Sequence, residues 1–140
     1  MSVNFIDSLV QQGWLKTPRI IEAFRAIKRS DFMPSDMRDS ADLNEALPIG
    51  YGQTISQPLV VAFMLELLQP EFGDKILDVG SGSGWTSALL AYIVSRGELS
   101  EKRKTKNEKL KTKIIALEII PELKEFGKKN VARYNFIEKG

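Results

Sequence analysis

The sequence predicts an α/β fold in which an N-terminal helical segment leads into the opening half of a doubly wound parallel sheet. Three observations predict it. Lys75–Val79 is a short apolar run of strand length bounded by glycines, the pattern of a strand buried in a parallel sheet. Residues 80–84 form a tight loop with glycine at every second position, and an apolar helix follows over Trp85–Ser95. A second apolar run, 113–118, precedes a fifth helix from Pro121 to about Val131. Strand, loop, helix, strand, helix in that order is a right-handed βαβ unit.

The elements before the sheet follow from spacing and breakers. Ile6, Leu9, Val10 and Trp14 recur at helical intervals within 3–14. Thr17-Pro18 reads as a helix start, with Thr as a cap and Pro in the first turn. Ile20, Ile21, Phe24 and Ile27 continue that second helix on one face. Residues 28–57 have no sustained period, and a run of that length without elements is unusual and often functional. Pro58 opens a third helix, with Val61, Met64, Leu65 and Leu68 expected on its inner face. Only two strands are legible, against about five or six in a typical sheet. Two parallel strands covered on one side leave apolar surface on the other. The expectation is therefore a chain cut short of a third strand, or one that completes its sheet with a partner. Residues 1–140 then form a single partial domain: 1–72 the helical and loop region, 73–140 the start of the sheet.

Composition narrows the chemistry. The chain has 140 residues with no Cys and no His, which excludes disulfide frameworks, thiol nucleophiles, Ser–His–Asp catalysis and most transition-metal sites. No stretch approaches the roughly 18 apolar residues of a membrane span. Met1-Ser2-Val3-Asn4 lacks the basic region and apolar core of a signal peptide, so the expected location is cytoplasmic, with no membrane partner. Net charge is +2, from 20 basic and 18 acidic residues. Residues 97–113 alone carry seven basic and three acidic side chains, leaving the remainder at −2. The basic balance is thus local to a polar insert at 97–112. That insert reads as a solvated loop; a nucleic-acid role is the lesser alternative, because aromatic stacking residues are absent.

The glycine loop carries the strongest signal. Gly80-Ser81-Gly82-Ser83-Gly84 lets the backbone approach a ligand closely, at the start of a helix whose free N–H groups favour anions. The nicotinamide fingerprint GxGxxG would need glycine where Trp85 stands, and no GK[ST] follows for a P-loop. Asp78, two places before the first glycine, would repel a pyrophosphate and suits a ligand with a cationic amino-acid end. Glu118, at the end of the second strand, has the place of a ribose-binding carboxylate. It lies 34 residues after Gly84, against about 20 in the usual unit, and removing the insert restores the spacing. Taken singly, the loop reads also as a plain turn and Glu118 as a solvated strand end.

Acidic residue, GxGxG and second acidic residue together resemble class I S-adenosylmethionine-dependent methyltransferases, which have a Rossmann-like doubly wound fold. The segment Leu47-Pro48-Ile49-Gly50-Tyr51-Gly52-Gln53-Thr54-Ile55-Ser56-Gln57-Pro58 resembles the signature of protein-L-isoaspartate O-methyltransferases. Residues 17–24, 30–34, 77–84 and 118–123 match the same family, so the resemblance spans nearly all of the chain outside 97–112. It implies a methyl transfer from S-adenosylmethionine to the α-carboxylate of isoaspartyl residues in damaged proteins; the alternatives are an inactive truncated fragment of such an enzyme, or a methyltransferase with a different substrate. It implies no metal, and a monomer in the full-length form. By position, Ser56 is the active-site serine; Thr54, Ile55 and Gln57 line its loop. Asp78, Gly80, Ser81, Gly82, Ser83 and Gly84 hold the methionine part of the cofactor, and Glu118 the ribose. The substrate carboxylate, with a reference pKa near ~4, is its own nucleophile at pH 7. No general base is needed, and the work is positioning at about 3–3.5 Å. The other reading of Ser56 is a helix-start residue.

Overall fold

The structure is a computed structural model that describes residues 4–96 and 113–137. Residues 97–112, for which the solvated loop is expected, and 138–140 lie outside the described residues. The elements in order are α1 (Phe5–Gln11), α2 (Pro18–Ala26), two 3₁₀ turns (Arg29–Phe32 and Ser35–Ser40), β1 (Leu47–Gly50), β2 (Gln53–Ile55), α3 (Pro58–Leu68), β3 (Lys75–Val79), α4 (Trp85–Ser95), β4 (Lys113–Leu117) and α5 (Pro121–Ala132).

Helix starts obey local chemistry. The Asn4 side chain accepts from the Ile6 N–H and caps α1. Proline occupies the first turn of α2, α3 and α5, where its missing donor costs nothing. Thr17 does not cap α2 as expected. Its hydroxyl donates instead to Glu66 Oε2 of α3 at 2.6 Å, while Glu66 Oε1 accepts from the Lys16 and Thr17 N–H groups. A carboxylate from a distant helix has replaced the local cap. Burial alone would raise the Glu66 carboxyl; the bonds from Thr17, Lys16 and Gln69 outweigh it and hold it below the ordinary range. Trp14 also departs from expectation: α1 ends at Gln11, and Trp14 is exposed, edge-on to Phe63.

β3 and β4 pair in parallel over five positions, from Lys75↔Lys113 to Val79↔Leu117, as the βαβ reading requires. α4 lies across one face and is buried nearly all round, packing against α2, β4 and α5. Phe24 of α2 meets Trp85 of α4 edge-on at 5.7 Å, at the centre of the apolar core. The opposite sheet face is bare, with Leu77, Val79, Ile115 and Leu117 exposed, as expected for two strands covered on one side.

Two expectations need correction. Residues 28–57 are not without elements: they hold both 3₁₀ turns and an antiparallel hairpin, β1 with β2, paired Leu47↔Ile55, Pro48↔Thr54 and Gly50↔Gln53. On α3, the buried face is Pro58, Val61, Ala62 and Leu65, while Met64 and Leu68 are exposed. That helix is apolar nearly all round, so periodicity could not choose its inner face.

Candidate active site

The hairpin and the glycine loop converge. One small cleft, about 50 Å³, is lined by Thr54, Ile55, Ser56, Asp78, Gly80, Ser81, Gly82, Ser83, Trp85 and Thr86. A larger groove, about 580 Å³, lies along α5 at Phe126, Lys129 and Ile137 and shares no residue with this cleft.

The loop is built by β3 ending beside β4. Gly80 and Ser81 N–H groups both donate to the Leu117 carbonyl, at 2.8 and 2.9 Å. Gly80, Gly82 and Gly84 all take positive φ, which explains the alternate glycines. Asp78 enters from β3, where it lines the cleft, and its Oδ2 accepts from the Ser87 hydroxyl of α4 at 2.5 Å. Glu118 approaches the loop without lining the cleft: Oε2 accepts from Gly82 N–H at 2.7 Å and Oε1 from Ile120 N–H at 3.0 Å. The Ile120 amide, followed by those of Gly82 and Ile119, holds its carboxyl below the ordinary range despite partial burial. It is a fixed anion at neutral pH.

Gln57 and Gly84, also expected at the site, stand outside the cleft lining. Gln57 precedes α3 and donates to the Asn44 carbonyl. Gly84 lies against α5: a Cβ there would lie 2.8 Å from Val131 Cγ2. Conversely, a Cβ on Gly127 would lie 2.7 Å from the Gly82 carbonyl. The buried Asn130 side chain completes this seam by donating to the Ser83 carbonyl at 3.0 Å. Ser56 is exposed, and its hydroxyl has no partner among the described residues.

Sequence reasoning missed Arg29, Asn130, Gly127, Trp85 and Thr86. Arg29 is buried, and its guanidinium donates to the carbonyls of Ala41, Leu43, Glu45 and Ser56. It also lies 5.4 Å from the Trp85 ring centroid. Burial lowers its pKa to about 10, with Asp42 opposing, so it stays charged at neutral pH. One cation thereby ties the 41–45 strand of chain, the Ser56 backbone and the cleft floor together. A buried Arg without a bonded carboxylate leaves no complementary acid to find by pattern; its partners are backbone oxygens in a segment without period.

A parallel βαβ unit, an alternating-glycine loop, one carboxylate on its first strand and another after its second define a Rossmann-like methyltransferase fold. The family model for protein-L-isoaspartate(D-aspartate) O-methyltransferases matches residues 2–137, and the chain belongs to that family. It is 38% identical over 134 residues to the protein-L-isoaspartate O-methyltransferase of Aeropyrum pernix, covering 96% of this chain and 46% of that protein. With the Methanopyrus kandleri protein of the same name it shares 37% over 133 residues, covering 95% and 53%. The chain spans about half the length of the curated relatives it matches. Among solved structures, a Plasmodium falciparum protein described as a protein-L-isoaspartate O-methyltransferase, in complex with S-adenosyl-L-homocysteine, superposes with a TM-score of 0.74 at 22% identity. That superposition covers 92% of this chain and 54% of the Plasmodium chain, and speaks for the fold. Among the described residues no helix is long and apolar enough to cross a membrane, and no group of three or more acidic side chains gathers to hold a metal.

Proposed function

We propose that the cleft is the methyl-transfer site of a cytoplasmic, monomeric protein-L-isoaspartate O-methyltransferase that esterifies the α-carboxylate of isoaspartyl residues in damaged proteins. The observation that carries this reading is the meeting of Thr54, Ile55 and Ser56 with Asp78 and residues 80–83 in one cleft. S-adenosylmethionine supplies an electrophilic methyl group on a sulfonium, and no metal takes part. The residues present suit that donor: Asp78 offers a free carboxylate oxygen to its ammonium, and the glycine loop allows close backbone approach. Glu118 offers fixed lone pairs to the ribose hydroxyls. The exposed Ser56 hydroxyl donates to one oxygen of the acceptor carboxylate and directs the other at the methyl group. Ile55 supplies an apolar wall, and Gln57 fixes the loop through Asn44. The acceptor is already ionised at neutral pH, so a chain without His lacks nothing for this step. Regions 1–72 and 73–140 act as one domain, one bringing Ser56 and the other the donor loop.

The test is methyl transfer from labelled S-adenosylmethionine, at millimolar donor, to an isoaspartyl peptide and its normal aspartyl twin. Label in the isoaspartyl peptide alone is the expected result; no label, or equal label in both, refutes the reading. The small size of the cleft favours weak donor binding by these 140 residues, ~4 rather than ~8 kcal/mol, or millimolar rather than micromolar. Calorimetry with S-adenosylhomocysteine checks this, and a micromolar Kd contradicts it.

A further inference from the structure

Among the described residues, three other than glycine take a positive φ: Tyr51 at 57°, Gln69 at 50° and Asn135 at 60°. Gln69 closes α3 in the left-handed C-cap position, its N–H donating to the Leu65 carbonyl. Asn is a residue type that tolerates this region. Tyr51 has neither explanation. It and Gly52 are the two residues joining the paired Gly50 and Gln53 of the hairpin. A two-residue hairpin turn with positive φ at both positions is ordinarily filled by Asn-Gly, Asp-Gly or Gly-Gly. A bulky aromatic there is strained. Among the described residues Tyr51, 60% exposed, has no hydrogen bond or ring contact to offset the strain. Strain held by a functional segment is a pointer to use.

The hairpin's position says what use. Its buried Ile49 packs on the donor loop, with Cδ1 3.5 Å from where a Gly82 Cβ would stand. Its second strand runs directly into Thr54, Ile55 and Ser56 on the cleft wall. Tyr51 therefore stands at the outer tip of an element whose inner end carries Ser56. At about 3.3 Å per residue the two are within ~16 Å along the strand, the reach of four or five residues of extended peptide.

We infer that Tyr51 is a specificity-determining residue that contacts the peptide flanking the modified aspartate, favouring a large apolar side chain four or five positions away. This rests on the isoaspartyl-methyltransferase reading. An aromatic ring carried on a short side chain provides apolar contact at low entropic cost, and at a tip it discriminates between flanks without touching the chemistry.

The test is fluorescence anisotropy with S-adenosylhomocysteine present, using two labelled isoaspartyl peptides that carry Leu or Gly at the fifth position on either side. The unsubstituted chain binds the Leu peptide about five-fold more tightly, a ratio within reach of one apolar contact. Tyr51→Gly abolishes that preference, while Tyr51→Phe keeps it. Tyr51→Gly also melts at a higher temperature, because glycine adopts the turn without strain. A purely structural Tyr51 would lose stability and binding together. Retained preference in Tyr51→Gly, or none in the unsubstituted chain, overturns the inference. Equal binding of the isoaspartyl peptides and their aspartyl twins marks failure of the underlying function instead, and the inference falls with it.

Discussion

At the scale of single residues, the site divides into groups that face outward and groups that hold them. Ser56 faces outward, with its hydroxyl free, while its own carbonyl is held by Arg29. On the proposed mechanism, Ser56→Ala leaves the scaffold intact and removes one orienting hydrogen bond. Isoaspartyl methylation falls about ten-fold, which corresponds to ~1.4 kcal/mol, with an unchanged melting temperature; unaltered turnover removes Ser56 from the mechanism. Away from the site, Glu66 holds the start of α2 against α3. Its carboxyl is depressed in the folded chain, so the unfolded state binds its proton more readily, and the resulting stability is present above the unfolded pKa. That stability is lost as pH falls below the ordinary carboxylate value, near ~4.3, through the lower folded one. Glu66→Gln lowers stability by about 1–2 kcal/mol at pH 7 and flattens the acid limb of a denaturation series. A mutant curve parallel to the parent across about pH 3–6, which brackets the ordinary carboxylate value, would refute that assignment.

Elements differ in how plainly the sequence announces them. β3, its glycine loop and β4 are legible because each is local: apolar runs of strand length, and glycines where positive φ is needed. α5 is legible from Pro121 onward, though its seam with the loop is not, since Gly127 looks like a flaw in a helix until the Gly82 carbonyl is seen against it. The β1–β2 hairpin escapes because its strands are four and three residues long and one contains Pro48, which argues against strand by rule and is tolerated only at an edge. α3 escapes for the opposite reason: surplus apolar residues hide which face turns inward. Among the proposed site residues, Thr54, Ile55, Ser56, Asp78 and 80–83 come together in the cleft, whereas Gln57, Gly84 and Glu118 stand outside its lining. Motif position gives the neighbourhood of a residue and not the direction of its side chain.

At the scale of the molecule, one sheet face is covered by α4 and the other is open. Leu77, Val79, Ile115 and Leu117 are between 44% and 72% exposed, a contiguous apolar surface of the kind that binds dyes and other proteins. Native chain is expected to enhance anilinonaphthalene sulfonate fluorescence. Leu77→Glu with Ile115→Lys should suppress that signal with less than about 0.5 kcal/mol lost in stability, as for substitutions outside a core; undiminished dye binding would place the apolar surface elsewhere. The buried side of the same sheet is governed by contact instead of exposure. With 2.7 Å between a would-be Gly127 Cβ and the Gly82 carbonyl, α5 rests on the glycine loop with no clearance. A single methyl group added at Gly127 becomes a lever: it displaces the carbonyl, and with it the neighbouring amide that Glu118 grips. Gly127→Ala should thus weaken S-adenosylhomocysteine affinity by about ten-fold from a position that never meets the ligand, and calorimetry of the two proteins reads that transmission directly.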